Sequence, residues 1–263
     1  MNEPNLDLPP AFIDALALAH PSWRSILIDG LQQVAAANPA YLPELALDDY
    51  LPTEGRLLAA FSLPLPEVRY VLVGEGPYPR AASATGVCFM DGAVGELWSE
   101  SGLSKPVNRA TSLRNFMKML LVADGSLQAD ATSGAALAPV AARARQGGLI
   151  STLAQLQHNL LDQGFLLLNA ALVFRPHVPP PIEARAWQPF LRKVLAALAD
   201  PVQLVLWGKI ADQLKTLPEA QALGHLAAEH PYNLSFIQHA GMQALFGPMQ
   251  LLRPRESGVG DSL

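Results

Sequence analysis

Four side chains of the kinds that active sites are built from stand at abrupt breaks in apolar sequence. Glu75 and Tyr78, a carboxylate and a phenol, lie in a segment interrupted by Gly74, Gly76, Pro77 and Pro79. Asn169 closes the run Phe165-Leu166-Leu167-Leu168, and His230 precedes Pro231. Taken singly, each has an ordinary reading: a solvated carboxylate, a packing tyrosine, a turn-capping amide, a loop histidine. Their shared position, after a short apolar run, is what draws attention. In open α/β sheets, ligands bind in the crevice outside the carboxyl ends of the strands.

The elements that must position these groups are legible in the hydrophobic pattern. Val68–Val73 reads as a buried strand stopped by glycine and proline. Phe165–Asn169 reads as a second, Val202–Trp207 as a third, and a short run from about His225 to Glu229 as a fourth. Between them lie helical patterns. Leu113, Phe116, Met117, Leu120 and Leu121 share one face of a helix starting near Thr111 or Ser112. Leu153, Leu156, Leu160 and Leu161 share another, with Gly164 as its stop. Leu191, Val194, Leu195 and Leu198 mark a helix over about 187–199, ending at Asp200-Pro201. Residues 92–110 read as a polar loop, 124–148 as an irregular Ala/Gly/Ser-rich insertion, and Pro179-Pro180-Pro181 as an extended loop. Alternating strands and helices predict a three-layer αβα fold with a central, mainly parallel four-stranded sheet. No linker or composition shift divides the chain, so 1–263 reads as a single domain with flexible tails at 1–10 and 254–263.

Composition narrows the function. A net charge of −5 does not advertise nucleic-acid binding, so any such contact needs a local cationic rim. The single cysteine, Cys88, rules out a disulfide framework, a Cys₄ zinc site or a cysteine-ligated cluster within the chain. It reads as a small buried hydrophobe. The first residues lack a signal-peptide pattern, and no apolar run approaches the roughly 20 residues needed to span a bilayer, which leads to the expectation of a cytoplasmic protein with no membrane partner.

Five segments, in order, resemble the uracil-DNA glycosylase family. GEGPYPRAASATGVCF resembles that family's water-activating segment GQDPYH with its following glycine and phenylalanine. TSLRNFMKML resembles its phosphate-gripping serine and helix. FLLLNAALVFR resembles its uracil-reading strand, VLWGKIADQL its strand-glycine-helix unit, and HPYNLS its intercalation loop HPSPLS. The resemblance runs from about residue 68 to 246. It implies a DNA repair hydrolase of N-glycosyl bonds that acts without a cofactor, as a monomer, on DNA containing uracil or another damaged base. Residue by residue, it implies that Asn169 reads the uracil edge, Phe89 stacks on the base and Tyr78 fills the space a thymine methyl needs. His230 would donate to O2 of the departing base. Leu234 would wedge into the duplex, while Ser112 and Ser235 would hold phosphates. Arg80 and Arg175, with Lys105, Arg109, Arg114 and Lys209, would form the cationic rim.

The departures from the family pattern are informative. Gly76 stands where most of the family has aspartate, and Pro79 where it has histidine. Glu75 is the candidate replacement: related branches carry a GE-x-PG segment with a functional glutamate, though often with a four-cysteine iron–sulfur cluster that this chain cannot ligate. Ala110-Thr111 replaces the proline-rich turn before the serine, and Tyr232-Asn233 replaces Ser-Pro in the intercalation loop. The sequence therefore leaves open three readings: a uracil glycosylase using Glu75, a non-catalytic paralogue that binds DNA or a protein, and a glycosylase for another base.

Overall fold

The computed structural model describes residues 8–199 and 201–255. The chain forms two compact units: Met1–Ala93 with Gly164–Ala227, and Val94–Gln163 with Ala228–Leu263.

The first unit holds the sheet. Strands β1 (Tyr70–Gly74), β2 (Phe165–Asn169), β3 (Gln203–Trp207) and β4 (Gly224–Ala228) lie in the order β2-β1-β3-β4. β1 pairs parallel with both β2 and β3, with Val73 opposite both Leu168 and Leu206, and Gly74 opposite Asn169. Every residue of β2 is buried, as a continuous Phe-Leu-Leu-Leu run requires of a strand covered on both faces. β4 is more exposed, as befits a sheet edge. The strand ends match the predicted ones to within one or two residues.

Two helices of this unit pack closely, Arg24–Ala37 against Pro180–Ala196. Gly30 permits the approach, because a Cβ there would lie 2.7 Å from Cδ2 of Phe190. Phe190 joins Trp23, Phe61, Trp187 and Tyr41 in a buried aromatic cluster of edge-to-face contacts. The proline run is not an extended loop: Pro180 and Pro181 open the helix itself. Their missing N–H groups cost nothing in a first turn, where no intrahelical acceptor exists.

The second unit is helical, with main helices at Thr111–Ala123, Gly134–Arg145 and Leu153–Asp162. Thr152 caps the last of these in a reciprocal box with Gln155. Phe116 meets Phe246 edge-to-face at 5.1 Å. The expected irregular insertion at 124–148 contains the Gly134–Arg145 helix, which buries Leu137, Val140, Ala141 and Ala144. That stripe has helical spacing, but small residues and an internal Pro139 mask it in the sequence. The polar loop at 92–110 likewise carries a short helix, Lys105–Arg109, capped by Ser104 accepting from the Val107 N–H at 3.3 Å. Of the expected tails, residues 1–7 and 256–263 lie outside the described residues, as does Asp200. Pro10 already belongs to a helix. Among the described residues, no helix is long and apolar enough to cross a membrane.

Candidate active site

In the sheet unit the candidate site grows from the tips of β1 and β2. The parallel ladder continues past both strands: the Ala170 N–H donates to Gly74 O at 2.8 Å and the Ala171 N–H to Glu75 O at 3.0 Å. These bonds hold the GEGPYP turn alongside the segment after Asn169. The Asn169 side chain is buried, and its Oδ1 lies 2.8 Å from the point where a Cβ on Gly74 would stand. Cys88 Sγ lies 2.6 Å from that same point. Only a residue without a side chain fits there, so Gly74 lets the amide and the Cys88-Phe89 segment close around one strand tip.

Phe89 is held unusually. Its φ of +66° is uncommon for a residue with a bulky side chain, and strain of this kind persists only where the surroundings enforce it. The Cys88 N–H donates to Leu167 O at 3.0 Å, anchoring the segment to β2, and Trp207 at the tip of β3 meets the Phe89 ring edge-on at 5.2 Å. The Tyr78 hydroxyl makes a long hydrogen bond of 3.5 Å to Phe89 O. Burial, then the nearby Cys88 and Asp91, push the Tyr78 phenol well above its usual range, with Arg80 opposing. Tyr78 therefore stays neutral. Burial also pushes the Cys88 thiol up to about 12, which fits the inert packing role expected for it.

Glu75 is exposed. With Gly76, Pro79, Ala171, Phe174 and Gln213 it lines a cavity of about 260 Å³. A Cβ on Gly76 would meet nothing closer than Ala171, at 3.7 Å, and φ there is not in the left-handed region. Neither space nor backbone demands glycine at the position where the family carries aspartate.

In the helical unit, His230 accepts the Tyr232 N–H at Nδ1, 3.1 Å away. An accepting Nδ1 leaves the proton of a neutral ring on Nε2. Asn115, fully buried, donates from Nδ2 to Pro231 O at 2.7 Å and makes longer contacts to the carbonyls of Tyr232 and Asn233. Leu234 is 68% exposed beside buried Phe236 and Ile237. Ser112 lies in the first turn of the Thr111–Ala123 helix, whose N-cap, Ala110, offers no side-chain cap.

One expected DNA contact is corrected by the geometry. Arg175 is no rim residue: it is buried, with Nε donating to Glu183 Oε1 at 2.6 Å and Nη1 to Asp48 Oδ2 at 3.1 Å, and its guanidinium lies 5.5 Å from the Tyr41 ring centroid. Its position after an apolar strand and loop concealed a partner in the following helix. Ser235 is exposed, and its hydroxyl helps to hold the Glu229 carboxyl below its ordinary range. By contrast, Arg80 keeps 70% of its side chain exposed despite an ion pair with Asp91 at 3.7 Å.

Sequence reading missed Asn115, Gly74 and Trp207. Trp207 ends a strand as Asn169 does, so the same strand-tip logic reaches it. Asn115 is a polar residue in the apolar stripe of its helix, a visible anomaly. The role of Gly74 depends on a contact across two strands and leaves no local signal. Among the described residues no group of three or more His, Cys, Asp and Glu is arranged to hold a metal ion.

Residues 61–248 match the family described as the Uracil DNA glycosylase superfamily. The uracil-DNA glycosylase of Mycobacterium sp. (strain KMS) is 30% identical over 223 residues, covering 83% of each chain. The crystal structure of wild-type UNG from Nitratifractor salsuginis is 41% identical, with a TM-score of 0.85, over 97% of this chain and 100% of that one. Mimivirus uracil-DNA glycosylase, at 18% identity and a TM-score of 0.52, shares the fold.

Proposed function

This chain belongs to the uracil DNA glycosylase superfamily, and from that membership we propose that it hydrolyses the N-glycosidic bond of uracil extruded from DNA. The observation that carries the reading is the buried Asn169 amide at the tip of β2, closed against Gly74 beside a strained Phe89. An amide held in this way offers an acceptor and two donors to one edge of a pyrimidine. Phe89 supplies a ring for the base to stack on, and the neutral, half-buried Tyr78 denies space to a 5-methyl group.

In the reaction, the C1′–N1 bond breaks and its electron pair leaves with uracil, spread over N1 and O2. His230, protonated at Nε2, is the donor to O2. An electrophile aimed at charge that develops only in the transition state lowers the barrier without tightening substrate binding. Water adds to the sugar cation at C1′ and gives its proton to the Glu75 carboxylate, which also offsets the oxocarbenium charge. The exposure of Glu75 and the unfilled space at Gly76 support giving Glu75 this role. Ser112, Leu234 and Arg80 are each assigned a DNA contact by the family resemblance alone.

Uracil release from single- and double-stranded oligonucleotides tests the reading. We expect wild-type release, a loss of about 10²-fold or more in Asn169→Ala, and a loss of about 10²–10⁴-fold in Glu75→Gln. No release at micromolar protein, or release unchanged in Asn169→Ala, overturns it.

A further inference from the structure

Tyr232 and Leu234 are two of the five large hydrophobic side chains that are strongly exposed among the described residues, each 68% exposed, and they share one short loop. Their exposure is enforced. Asn115 grips the carbonyls beneath them, the Tyr232 N–H is tied to His230 Nδ1, and the Asn233 N–H donates to His230 O at 2.9 Å. Phe236 and Ile237 then bury the chain immediately after Leu234. A loop pinned from below, with an aromatic ring and an isobutyl group held up into water, needs an apolar partner to cover them.

The surrounding charge says what kind. Arg114 and Lys118 lie one turn apart on the helix that carries Asn115, and Arg114 Nε donates to Asn115 Oδ1 at 3.4 Å. Among the described residues neither forms an ion pair. Lys118 is pushed below its ordinary range by burial and then by the Arg114 charge. Glu229 instead lies 4.0 Å from His239 Nε2. Two half-buried cations without an ion pair, on the helix that holds the loop carbonyls, suit a partner that joins flat apolar faces to negative charge, as a stacked nucleic-acid strand does.

We infer that Tyr232 is a base-stacking residue that grips DNA beside Leu234. The inference rests on the proposed action on DNA and adds a contact which that reading does not require. A ring stacks on any base without reading it, so Tyr232 contributes affinity rather than sequence preference.

The test uses the full chain and a duplex carrying a tetrahydrofuran abasic analogue flanked by 2-aminopurine. Tyr232→Ala should bind roughly 5- to 100-fold more weakly, and the 2-aminopurine quenching seen with wild type should disappear. Tyr232→Phe should bind within about twofold of wild type, because stacking needs the ring and not the hydroxyl. Tyr232→Ala binding as tightly as wild type, or Tyr232→Phe losing as much as Tyr232→Ala, overturns the inference. If wild type releases uracil while Tyr232→Ala binds normally, only the stacking role falls. If wild type neither releases uracil nor binds the duplex, the glycosylase reading falls and the stacking role with it.

Discussion

Asn169 Oδ1 lies 2.8 Å from the place a Cβ on Gly74 would occupy, so the amide that would read the base is seated against a hydrogen atom of the neighbouring strand. The two residues are direct partners in the β1–β2 register. Gly74→Ala should therefore displace the amide, and Cys88 Sγ as well. Overpacking of this kind costs about 1–3 kcal/mol, read from urea unfolding. Uracil excision should fall by about 10²-fold, since a shift near 1 Å in a positioned group costs that much. Adding Cys88→Ala relieves the sulfur clash and recovers part of the stability, but not the excision.

Gly76 has the opposite character. Gly76→Asp meets no atom closer than 3.7 Å at its Cβ and no strained backbone, so the substitution should leave the melting temperature within a few degrees of wild type. It restores a carboxylate at the family's usual position. Single-turnover excision should rise by about tenfold or more in the Glu75→Gln background, where the native base is absent.

Arg175 and Glu183 form a buried ion pair backed by Tyr41 and Asp48, and removing one partner strands the other. Arg175→Met should destabilise the protein by about 3–5 kcal/mol in urea unfolding. Arg175→Met with Glu183→Gln should recover most of that loss, because the amide still accepts from the Tyr41 hydroxyl. Arg80→Ala removes the cation beside the buried Asp91 carboxylate, which keeps the Ala93 N–H, and should make the salt dependence of DNA binding shallower by about one unit of slope.

Glu229 is held below the usual carboxylate range by the Ser235 hydroxyl; burial opposes this, and its own N–H and His239 add to it. A depressed folded-state value contributes stability that is full above the unfolded carboxylate range, near 4.3, and is lost as pH falls through the folded value. Ser235→Ala should therefore lower stability by on the order of 0.5 kcal/mol at neutral pH, and the difference should shrink below about pH 4. Urea midpoints measured between pH 3 and 7 check this.

Much of the sheet unit was legible because its signals are local. Four short apolar runs ending in glycine, asparagine, tryptophan or histidine are strands by length and composition, and a parallel sheet brings the first three tips to one edge. The Gly134–Arg145 helix was not legible, since alanine is a weak marker of an apolar face and Pro139 counts against a helix by local rules. Arg175 was misassigned because a cation after a strand tip looks the same in sequence whether it meets a phosphate or a buried Glu183.

Residue identity alone determined the chemistry at hand: an amide, a neutral phenol, an aromatic ring, a carboxylate displaced by one position, and an imidazole. It also determined the family, through five motifs in order. Tertiary structure decided which of these groups are spent and which are available. Arg175 is committed to Glu183 and Asp48, His230 accepts the Tyr232 N–H at Nδ1, and Tyr232 is lifted into solvent. The physical reason is that a hydrogen bond between residues distant in sequence is set by packing, and packing leaves no trace in the spacing of the residues it joins.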